Sequence, residues 1–400
     1  MVDEDEVPPS QEIDFCTMGM FIIDEIHYLP PKPPVFDILG GGGSFSALGA
    51  RLFSPPPLSK TVSWIVDRGS DFPSHLTEQI SSWSTSCLLR DDPSRLTTRG
   101  WNGYTASENR AFKYTTPKLR LEEKDLTPHL LFSKSFHMVC SPTRCITLVS
   151  SILRARKSIN PSAPKPLFIW EPVPDLCLPT ELLNCTNALP YVDICSPNAN
   201  ELAGFMGDDE IDRSTGLIST SFVERACEQL LGSMPLQSFA LVIRCGGQGV
   251  YVAKNGGRSR RASIVKRKRP RNYARGGLTL DMDMESLFAG LLNGDGSFER
   301  EEVSIDPGIE LWLPAVFGEN DQERVVDPTG GGNGFLGGLS IALARGKGVE
   351  EAAAWGSVAA SFMIEQVGVP VLGVDEEGRE TWNGDSVERR LGKFMKKCKR

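Results

Sequence analysis

The sequence predicts an α/β protein with a three-layer α/β/α sandwich around a mostly parallel central sheet. Apolar strand-like runs alternate with amphipathic helical runs along most of the 400 residues. This alternation is typical of parallel strands covered by helices on both faces. A second observation is a Gly-rich turn, Gly330–Gly332, that opens directly into an apolar helical segment. Such a turn at a helix N-terminus favours a phosphate or a developing negative charge.

The predicted elements follow from hydrophobic period, proline positions and glycine turns. Proline at the first turn supports the helix 142–158, and prolines end the strands 166–172 and 191–198. The predicted strands are 15–24, 61–66, 166–172, 191–198, a strand pair within 239–254, 310–316 and 323–329. The predicted helices are 43–53, 142–158, 198–206, 221–232, 334–345 and 348–368.

Two regions interrupt the alternation. Residues 97–116 are typical of a short hairpin with polar and aromatic side chains. Residues 255–308 begin with a basic run and have no sustained apolar periodicity, so burial could not offset the entropy of ordering them. The sequence therefore predicts a disordered insertion rather than a core element there.

Charge and composition exclude several classes of protein. The net charge is −8, although nine of the 43 Lys and Arg lie between Gly256 and Arg275 without an acidic residue. The rest of the chain is strongly acidic, so we expect no nucleic-acid partner. No run approaches the roughly 20 apolar residues of a membrane span, and the acidic N-terminus lacks a secretory signal. We therefore expect no membrane partner and a cytoplasmic protein whose ten scattered cysteines are reduced and bind no zinc.

Short motifs lie within the basic run. RRAS at 260–263 fits a basophilic protein-kinase site, and KRKRPR at 266–271 fits a nuclear-localisation signal. Both patterns are short, and a solvated insertion is the interpretation that we prefer.

A family resemblance rests on residues 327–338, DPTGGGNGFLGG. This stretch closely resembles the DTxGAGDxFxGG signature of the pfkB (ribokinase-like) carbohydrate kinases. MFIIDEI, GGGGSFSALGARLF, TTRGWNGY, SPNANEL and RCGGQGVYV extend the resemblance from about residue 15 to 372, and AASFMIEQVGVP is similar to a fungal branch of the family.

The resemblance implies a function and a domain plan. It implies ATP- and Mg²⁺-dependent phosphorylation of a hydroxyl on a sugar-like or nucleoside-like small molecule. It also implies a single ribokinase-like domain over 15–372 with a small β lid near 25–38 and 97–116, a disordered insertion near 256–300 and a helical extension over 373–400. The lid is a candidate homodimer surface.

The catalytic position departs from the family signature. The resemblance implies that Gly330, Gly331 and Gly332 form the anion hole for the transferred phosphoryl group, but Asn333 stands where the family has its catalytic Asp. An amide can orient a hydroxyl but cannot take its proton at neutral pH. Three alternatives remain: a slow kinase, a kinase that uses a carboxylate such as Asp327, or a non-catalytic nucleotide-binding pseudokinase.

The resemblance also implies a nucleotide site. Its expected residues are Asn198, Glu201, Arg244, Gly246, Gly249, Asp327 and Thr329. Asn198 and Glu201 form the N-x-x-E element near the metal, where Glu201 acts on Mg²⁺ through water. The same two residues fit a capping box, and both roles can hold at once. The glycines of RCGGQG also fit an ordinary hairpin turn.

The expected substrate residues are Asp24, Gly41, Gly42 and Arg99. Asp24 is predicted at the carboxyl end of the first strand, where ligands of parallel sheets bind, although it also fits a cap. The glycines allow close backbone approach or serve only packing. Arg99 could fork onto a substrate anion or lie solvated in its loop. Ser44 and Phe45 stand where the family motif GGxxxN has Asn, so the acceptor is not defined.

Overall fold

A nine-stranded sheet organises the fold in the computed structural model, which describes residues 12–104, 110–258 and 305–399. The strands of the described residues are, in chain order, β1 Phe15–Thr17, β2 Ile22–His27, β3 Val35–Gly40, β4 Val62–Gly69, β5 Ser86–Asp92, β6 Arg99–Tyr104, β7 Arg110–Tyr114, β8 Ser135–Cys140, β9 Leu167–Pro172, β10 Ile194–Cys195, β11 Ala240–Arg244, β12 Val250–Lys254, β13 Gly257–Arg258, β14 Ile305–Asp306, β15 Ile309–Leu313, β16 Leu372–Val374 and β17 Glu380–Trp382.

The large sheet has the order β15-β12-β11-β10-β9-β8-β1-β4-β5. The pairings from β5 through β11 are parallel, and β12 runs antiparallel to β11. Because β1 has β4 on one side and β8 on the other, the strand order reverses beside β1. Ligands of open α/β sheets bind beyond the carboxyl ends of the strands at such a point.

Helices cover both faces of this sheet. The described α-helices are α1 Gly42–Leu52, α2 Ser74–Ser82, α3 Pro128–Leu131, α4 Pro142–Ile159, α5 Leu182–Ala188, α6 Ala199–Met206, α7 Thr220–Ser233, α8 Gly331–Ala344, α9 Val349–Met363 and α10 Val387–Lys397. One apolar cluster packs α4 to α7 on one face, and a second packs α1, α2 and α8 to α10 on the other. The successive residues Phe15 and Cys16 of β1 enter opposite clusters, as the period of a strand requires. The predicted three-layer sandwich is confirmed.

A four-stranded sheet with the order β3-β2-β6-β7 stands apart from the large sheet. β2 pairs antiparallel with β3 and parallel with β6, and β6 and β7 form the predicted hairpin. We call these four strands the small sheet. β3 ends at Gly40, two residues before α1 begins.

The prediction of one continuous strand over 15–24 is wrong. The run ends as β1 at Thr17 and resumes as β2 in the small sheet at Ile22. At the break, a Cβ on Gly19 would lie 2.6 Å from the nitrogen of Gly43, and that N–H donates to the carbonyl of Met20. The continuous apolar pattern hid the turn because both halves are buried.

The predicted strand over 323–329 is also wrong. A 3₁₀ helix spans Glu319–Arg324, and the N–H groups of Val326 and Asp327 both donate to the carbonyl of Ile364 at the end of α9. These backbone groups bond to a helix end rather than to a neighbouring strand. Conversely, α2, β5 and β8 form where the sequence patterns predicted no element.

The chain divides into two compact units, one of Met1–Lys254 with Glu310–Arg400 and one of Asn255–Ile309. In the second unit the structure describes an antiparallel ladder in which Arg258 is the partner of Ile305. Both short motifs and the predicted disordered insertion lie outside the described residues, apart from 255–258 and 305–308 at the ends of the insertion. At these ends the prediction of disorder is wrong, because β13 and β14 pair there.

All ten cysteines are free, and eight of them are buried. No helix among the described residues is long and apolar enough to cross a membrane.

Candidate functional site

Two helix N-termini meet beyond the carboxyl ends of the central strands. Gly41, with φ 88°, caps α1, and Gly330, with φ 79°, caps α8. α1 and α8 lie so close together that a Cβ on Gly49 would lie 2.0 Å from the carbonyl oxygen of Gly334. A Cβ on Gly42 would lie 3.3 Å from Nδ2 of Asn333, so the start of α1 faces the first turn of α8.

The first turn of α8 leaves backbone donors available. Gly331 donates to the carbonyl of Pro328 at 3.2 Å, and Gly334 donates to that of Gly330 at 2.8 Å. Within the described residues, the N–H groups of Gly332 and Asn333 donate to no acceptor. A side chain at Gly330 would meet the ring of Phe45 at 2.2 Å. The turn therefore presents free N–H groups at the positive end of a helix, as an anion site requires.

The first turn of α8 contacts a buried network of charged side chains through Asn333. Nδ2 of Asn333 donates to Oε2 of Glu171 at 2.5 Å. Oε1 of Glu171 lies 2.8 Å from Nη1 of Arg244, whose Nη2 lies 3.2 Å from Oε2 of Glu201. A Cβ on Gly332 would lie 2.1 Å from Nη1 of Arg244, so only glycine leaves room for the guanidinium.

This network continues into the sheet through a buried histidine. His137 on β8 is 0% exposed, with Nε2 3.6 Å from Oε2 of Glu171. Its Nδ1 lies 3.0 Å from the hydroxyl oxygen of Thr17, which accepts the N–H of Gly19. Thr17 and His137 are register partners on β1 and β8. The network thus begins where the strand order reverses.

The buried charges shift one another's pKa values. Burial alone would raise the pKa of Glu171, but the charge of Arg244 and the contact with His137 hold it below its usual value. Burial raises the pKa of Glu201 to about 7 against the opposing effect of Arg244. Burial lowers the pKa of Arg244, but Glu171 and Glu201 more than offset this and raise it. Glu171 therefore stays a carboxylate, which can only accept hydrogen bonds.

That carboxylate fixes the orientation of Asn333. Its amide must turn the NH₂ group toward Glu171, so Oδ1 is left to accept a hydrogen bond from another group.

Asn198 and Glu201 form a capping box at the start of α6. Oδ1 of Asn198 accepts the N–H of Glu201 at 2.8 Å, and Oε2 of Glu201 accepts the N–H of Asn198 at 2.8 Å. Oε1 of Glu201 accepts from Nδ2 of Asn198 at 2.9 Å. The capping alternative is therefore confirmed, and the capping box holds Glu201 beside Arg244.

A cleft of about 300 Å³ lies beside the first turn of α8. Its polar wall is formed by Arg244, Gly246, Gly249, Gly331 and Gly332. Its apolar wall includes Val250, Ala315, Phe317, Ala360 and Ile364. Gly246 and Gly249 have φ values of 53° and 93°, which the turn between β11 and β12 requires.

Asp327 and Thr329 precede the glycine turn 330–332 at the start of α8. Both are placed by a hydrogen bond of 2.9 Å from the N–H of Thr329 to Oδ1 of Asp327, which is buried. The hydroxyl oxygen of Thr329 is buried and has no hydrogen-bond partner among the described residues. No cluster of three or more His, Cys, Asp or Glu in the described ranges could hold a metal ion.

A second cavity, of about 460 Å³, opens on the side of α1. Gly42 lines it, as do Tyr114 and the cationic residues Lys118, Arg120 and Arg144. Asn333 therefore has a neighbour in each cavity lining: Gly42, which it faces, lines this one, and Gly332, which precedes it, lines the other cleft.

Asp24 lies in a different position from the one predicted. It is in the middle of β2 in the small sheet rather than at the end of a central strand, and it is buried. A Cβ on Gly40 would lie 1.9 Å from its Oδ2, and one on Gly100 would lie 2.7 Å from its Oδ1. The two glycines make room for this carboxylate.

Arg99 is already held by two carboxylates. Its Nε lies 2.5 Å from Oδ2 of Asp71, and its Nη1 lies 2.9 Å from Oδ1 of Asp37. Arg99 is absent from the lining of both cavities. It joins β6 and β3 to the segment after β4, and the two ion pairs already engage its guanidinium although the side chain is partly exposed.

Sequence patterns did not reveal Glu171, His137 or the cavity cations. Glu171 had a usable signal, because the predicted strand 166–172 carries a Glu at its carboxyl end. His137 had none, since β8 was not predicted. Lys118 and Arg120 lie in a segment without periodicity, and Arg144 lies in the predicted helix 142–158, but nothing in the sequence indicates that these three residues share a cavity.

Together, the mostly parallel sandwich, the small sheet and the glycine turn between two cavities define a sugar or nucleoside kinase fold. Solved structures support this class. A probable sugar kinase from Rhizobium etli CFN 42 superposes with a TM-score of 0.59 and 13% identity, over 89% of this chain and 94% of that one. A ribokinase from Cryptococcus neoformans in complex with ADP has a TM-score of 0.54 and 14% identity, over 96% and 100%.

Sequence comparisons identify the family. The model of the pfkB family carbohydrate kinases matches residues 317–372. An uncharacterized protein of Schizosaccharomyces pombe is 32% identical over 96% of this chain and 94% of its own length. Protein MAK32 of Saccharomyces cerevisiae is 31% identical over 99% of this chain and 95% of its own length. The chain belongs to the pfkB (ribokinase-like) family, with fungal relatives that include MAK32.

Proposed function

We propose that this protein binds ATP with Mg²⁺ and transfers the terminal phosphoryl group to a hydroxyl of a sugar-like or nucleoside-like small molecule. The observation that carries the proposal is the position of the free N–H groups of Gly332 and Asn333 between two cavities. Phosphoryl transfer depends mainly on positioning and charge stabilisation, and such a turn supplies both.

The nucleotide fits the cleft of about 300 Å³ beside α8. The apolar wall with Val250, Phe317 and Ile364 suits a base, and the glycines at the start of α8 suit the phosphates. The C. neoformans neighbour is a complex with ADP. These features support ATP as the phosphoryl donor.

Mg²⁺ would be held mainly by phosphate and water. Glu201 lies 3.2 Å from Arg244 and shares a capping box with Asn198, which already engages both oxygens of Glu201. This suits the outer role through water that Mg²⁺ accepts readily. When bound, the ion supplies charge neutralisation for the transferred phosphoryl group.

Asn333 would orient the acceptor. Its Oδ1, turned away from Glu171, can accept a hydrogen bond from the reacting hydroxyl. The amide cannot take the proton, so Asn333 itself gives no general-base assistance, which is typically worth about 10²–10⁴ in rate. We therefore propose a slow transfer.

A second candidate is a nucleotide-binding protein without turnover, and the amide at Asn333 is the observation that favours it. It shares the cleft and the turn with the first. Only the transfer step separates the two.

Calorimetry with ATP and Mg²⁺, paired with a screen of sugars, nucleosides and polyols for ATP consumption, tests both. Gly331→Val places a side chain in the cleft, with its Cβ 2.8 Å from Cγ2 of Ile364. It should weaken ATP binding at least about tenfold by blocking the anion turn.

Gly232→Val is the matched control. Gly232 lies in α7, where a Cβ meets nothing within 4 Å. The assignment of the nucleotide site is wrong if Gly331→Val binds ATP as tightly as the wild type. It is also wrong if the folded wild type does not bind ATP. Binding without consumption of ATP by any acceptor favours the second candidate.

A further inference from the structure

The cavity on the side of α1 has an unbalanced charge. Of the charged side chains lining its volume of about 460 Å³, all three are cationic: Lys118, Arg120 and Arg144. Lys118 and Arg120 come from the segment after β7, and Arg144 comes from the first turn of α4. Two separate parts of the chain thus bring positive charge to one cavity.

Among the residues that the structure describes, none of these three cations lies within 4.0 Å of a carboxylate oxygen. Arg144 donates from Nη2 to the carbonyl of Leu121 at 2.7 Å, and the ammonium of Lys118 lies 4.3 Å from the ring of Tyr114. By contrast, Arg99, Arg244 and Arg345 are all paired with carboxylates. Unpaired cations that share a cavity favour an anionic occupant.

The cavity also reaches the transfer point. Gly42 lines it and faces Asn333, so one ligand could place a hydroxyl at Asn333 and another group among the cations. Tyr114 also lines the cavity, and its phenol O–H can donate a hydrogen bond to a ligand. Met20, Ile22 and Val173 form an apolar wall. The arrangement suits a small molecule with a polar reacting end and a charged far end.

Resting on the proposed function, we infer that the acceptor is itself an anion. It is a sugar-like or nucleoside-like hydroxyl compound that carries a phosphate or a carboxylate, held by Lys118, Arg120 and Arg144. Guanidinium groups bind both anions by paired, charge-assisted hydrogen bonds. A neutral sugar or nucleoside would bring no negative charge to the three cations.

Calorimetry without nucleotide tests this inference. The neutral probes are a pentose, a hexose and a nucleoside. Each is compared with its phosphate monoester, and each sugar also with its sugar acid. Inorganic phosphate is compared with chloride at constant ionic strength. At least one anionic form should bind about tenfold or more tightly than its neutral counterpart, the scale of a charge-assisted contact. Whether phosphates or sugar acids bind better identifies the anion.

The double variant Lys118→Gln/Arg120→Gln should abolish this preference. Both side chains are exposed, so the fold should survive. Arg154→Gln is the matched control, because Arg154 is an exposed arginine on the same helix as Arg144 and does not line the cavity.

Three results would overturn the inference: neutral forms that bind as tightly as anionic ones, a preference that persists in the double variant, or no response to any anionic probe including phosphate. The proposed function fails separately. If ATP does not bind but the anion preference holds, the nucleotide proposal is wrong and this site stands. If ATP binds and neutral acceptors are phosphorylated as well as anionic ones, only this inference is wrong.

Discussion

Asn333 is held in place by one short contact with Glu171, at 2.5 Å. This contact determines the effect of replacing Asn333. An Asp at this position restores the carboxylate of the family signature, but it also brings two carboxylates together in a buried site. Like charges at such a distance raise the pKa of one of them or force them apart.

We predict that Asn333→Asp alone lowers the free energy of unfolding by about 1–3 kcal/mol, the usual effect of losing a buried hydrogen-bonded partner. The exchange Glu171→Gln/Asn333→Asp should recover only part of that loss. An amide and a carboxylate again face each other, but Arg244 loses the buried charge of Glu171. In the exchanged protein the carboxylate lies at position 333, so turnover should exceed that of the wild type, by up to about 10²-fold.

Urea unfolding and ATP consumption measure the two effects. If Asn333→Asp is as stable as the wild type, the hydrogen bond between Glu171 and Asn333 does not contribute to stability as we expect. Slower turnover in the exchanged protein would show that Asn333 is not the position of a missing base.

The sequence was most informative where one residue type has one reason to be there. Gly330, Gly246 and Gly249 have the positive φ values that favour glycine, and Asn198 caps α6, as its position before the predicted helix indicated. Glu171 and the cavity cations could not be derived in this way. Their role depends on which strands and segments become neighbours, and hydrophobic period does not encode that.

At the scale of elements, the same limit explains the errors. The alternation of apolar runs predicted the layers and most helices, and α1, α4, α6, α7 and α9 begin within one residue of the predicted starts. The run 15–24 was read as one strand because apolar content cannot tell which sheet a strand joins. In the segment 323–329, backbone bonding to the end of α9 outweighed strand propensity.

The small sheet packs around the carboxylate of Asp24, and this gives a second prediction. Gly40→Ala would bring a methyl group to 1.9 Å from Oδ2 of Asp24, so we expect a loss of about 1–3 kcal/mol in the free energy of unfolding. In an Asp24→Ala background the same substitution should cost clearly less. An equal cost in both backgrounds, measured by urea unfolding, would contradict this packing of Gly40 against Asp24.

At the scale of the whole molecule, the ladder of β13 and β14 suggests where the chain can be shortened. Arg258 and Ile305 are register partners, so their backbones lie side by side. We predict that replacing residues 259–304 with an Asn-Gly turn leaves the fold and ATP binding intact. Loop-closure entropy changes by only about 0.6 kcal/mol for each doubling of length, and Asn-Gly suits a two-residue hairpin.

Circular dichroism on heating and calorimetry with ATP check the shortened chain. A protein that no longer melts cooperatively, or that has lost ATP binding with its fold intact, would show that residues 259–304 contribute to the sandwich or to the nucleotide cleft.

The link between the small sheet and α1 has a mechanical consequence. Gly41 alone separates the last residue of β3 from the first residue of α1, and Gly42 then faces Asn333. A tilt of the small sheet would therefore move the start of α1, with the rotation taken up at Gly41. A molecule that draws the sheet toward the cavity would tighten the gap between Gly42 and Asn333, and the arrival of the acceptor would be transmitted to the place where its hydroxyl must be aligned.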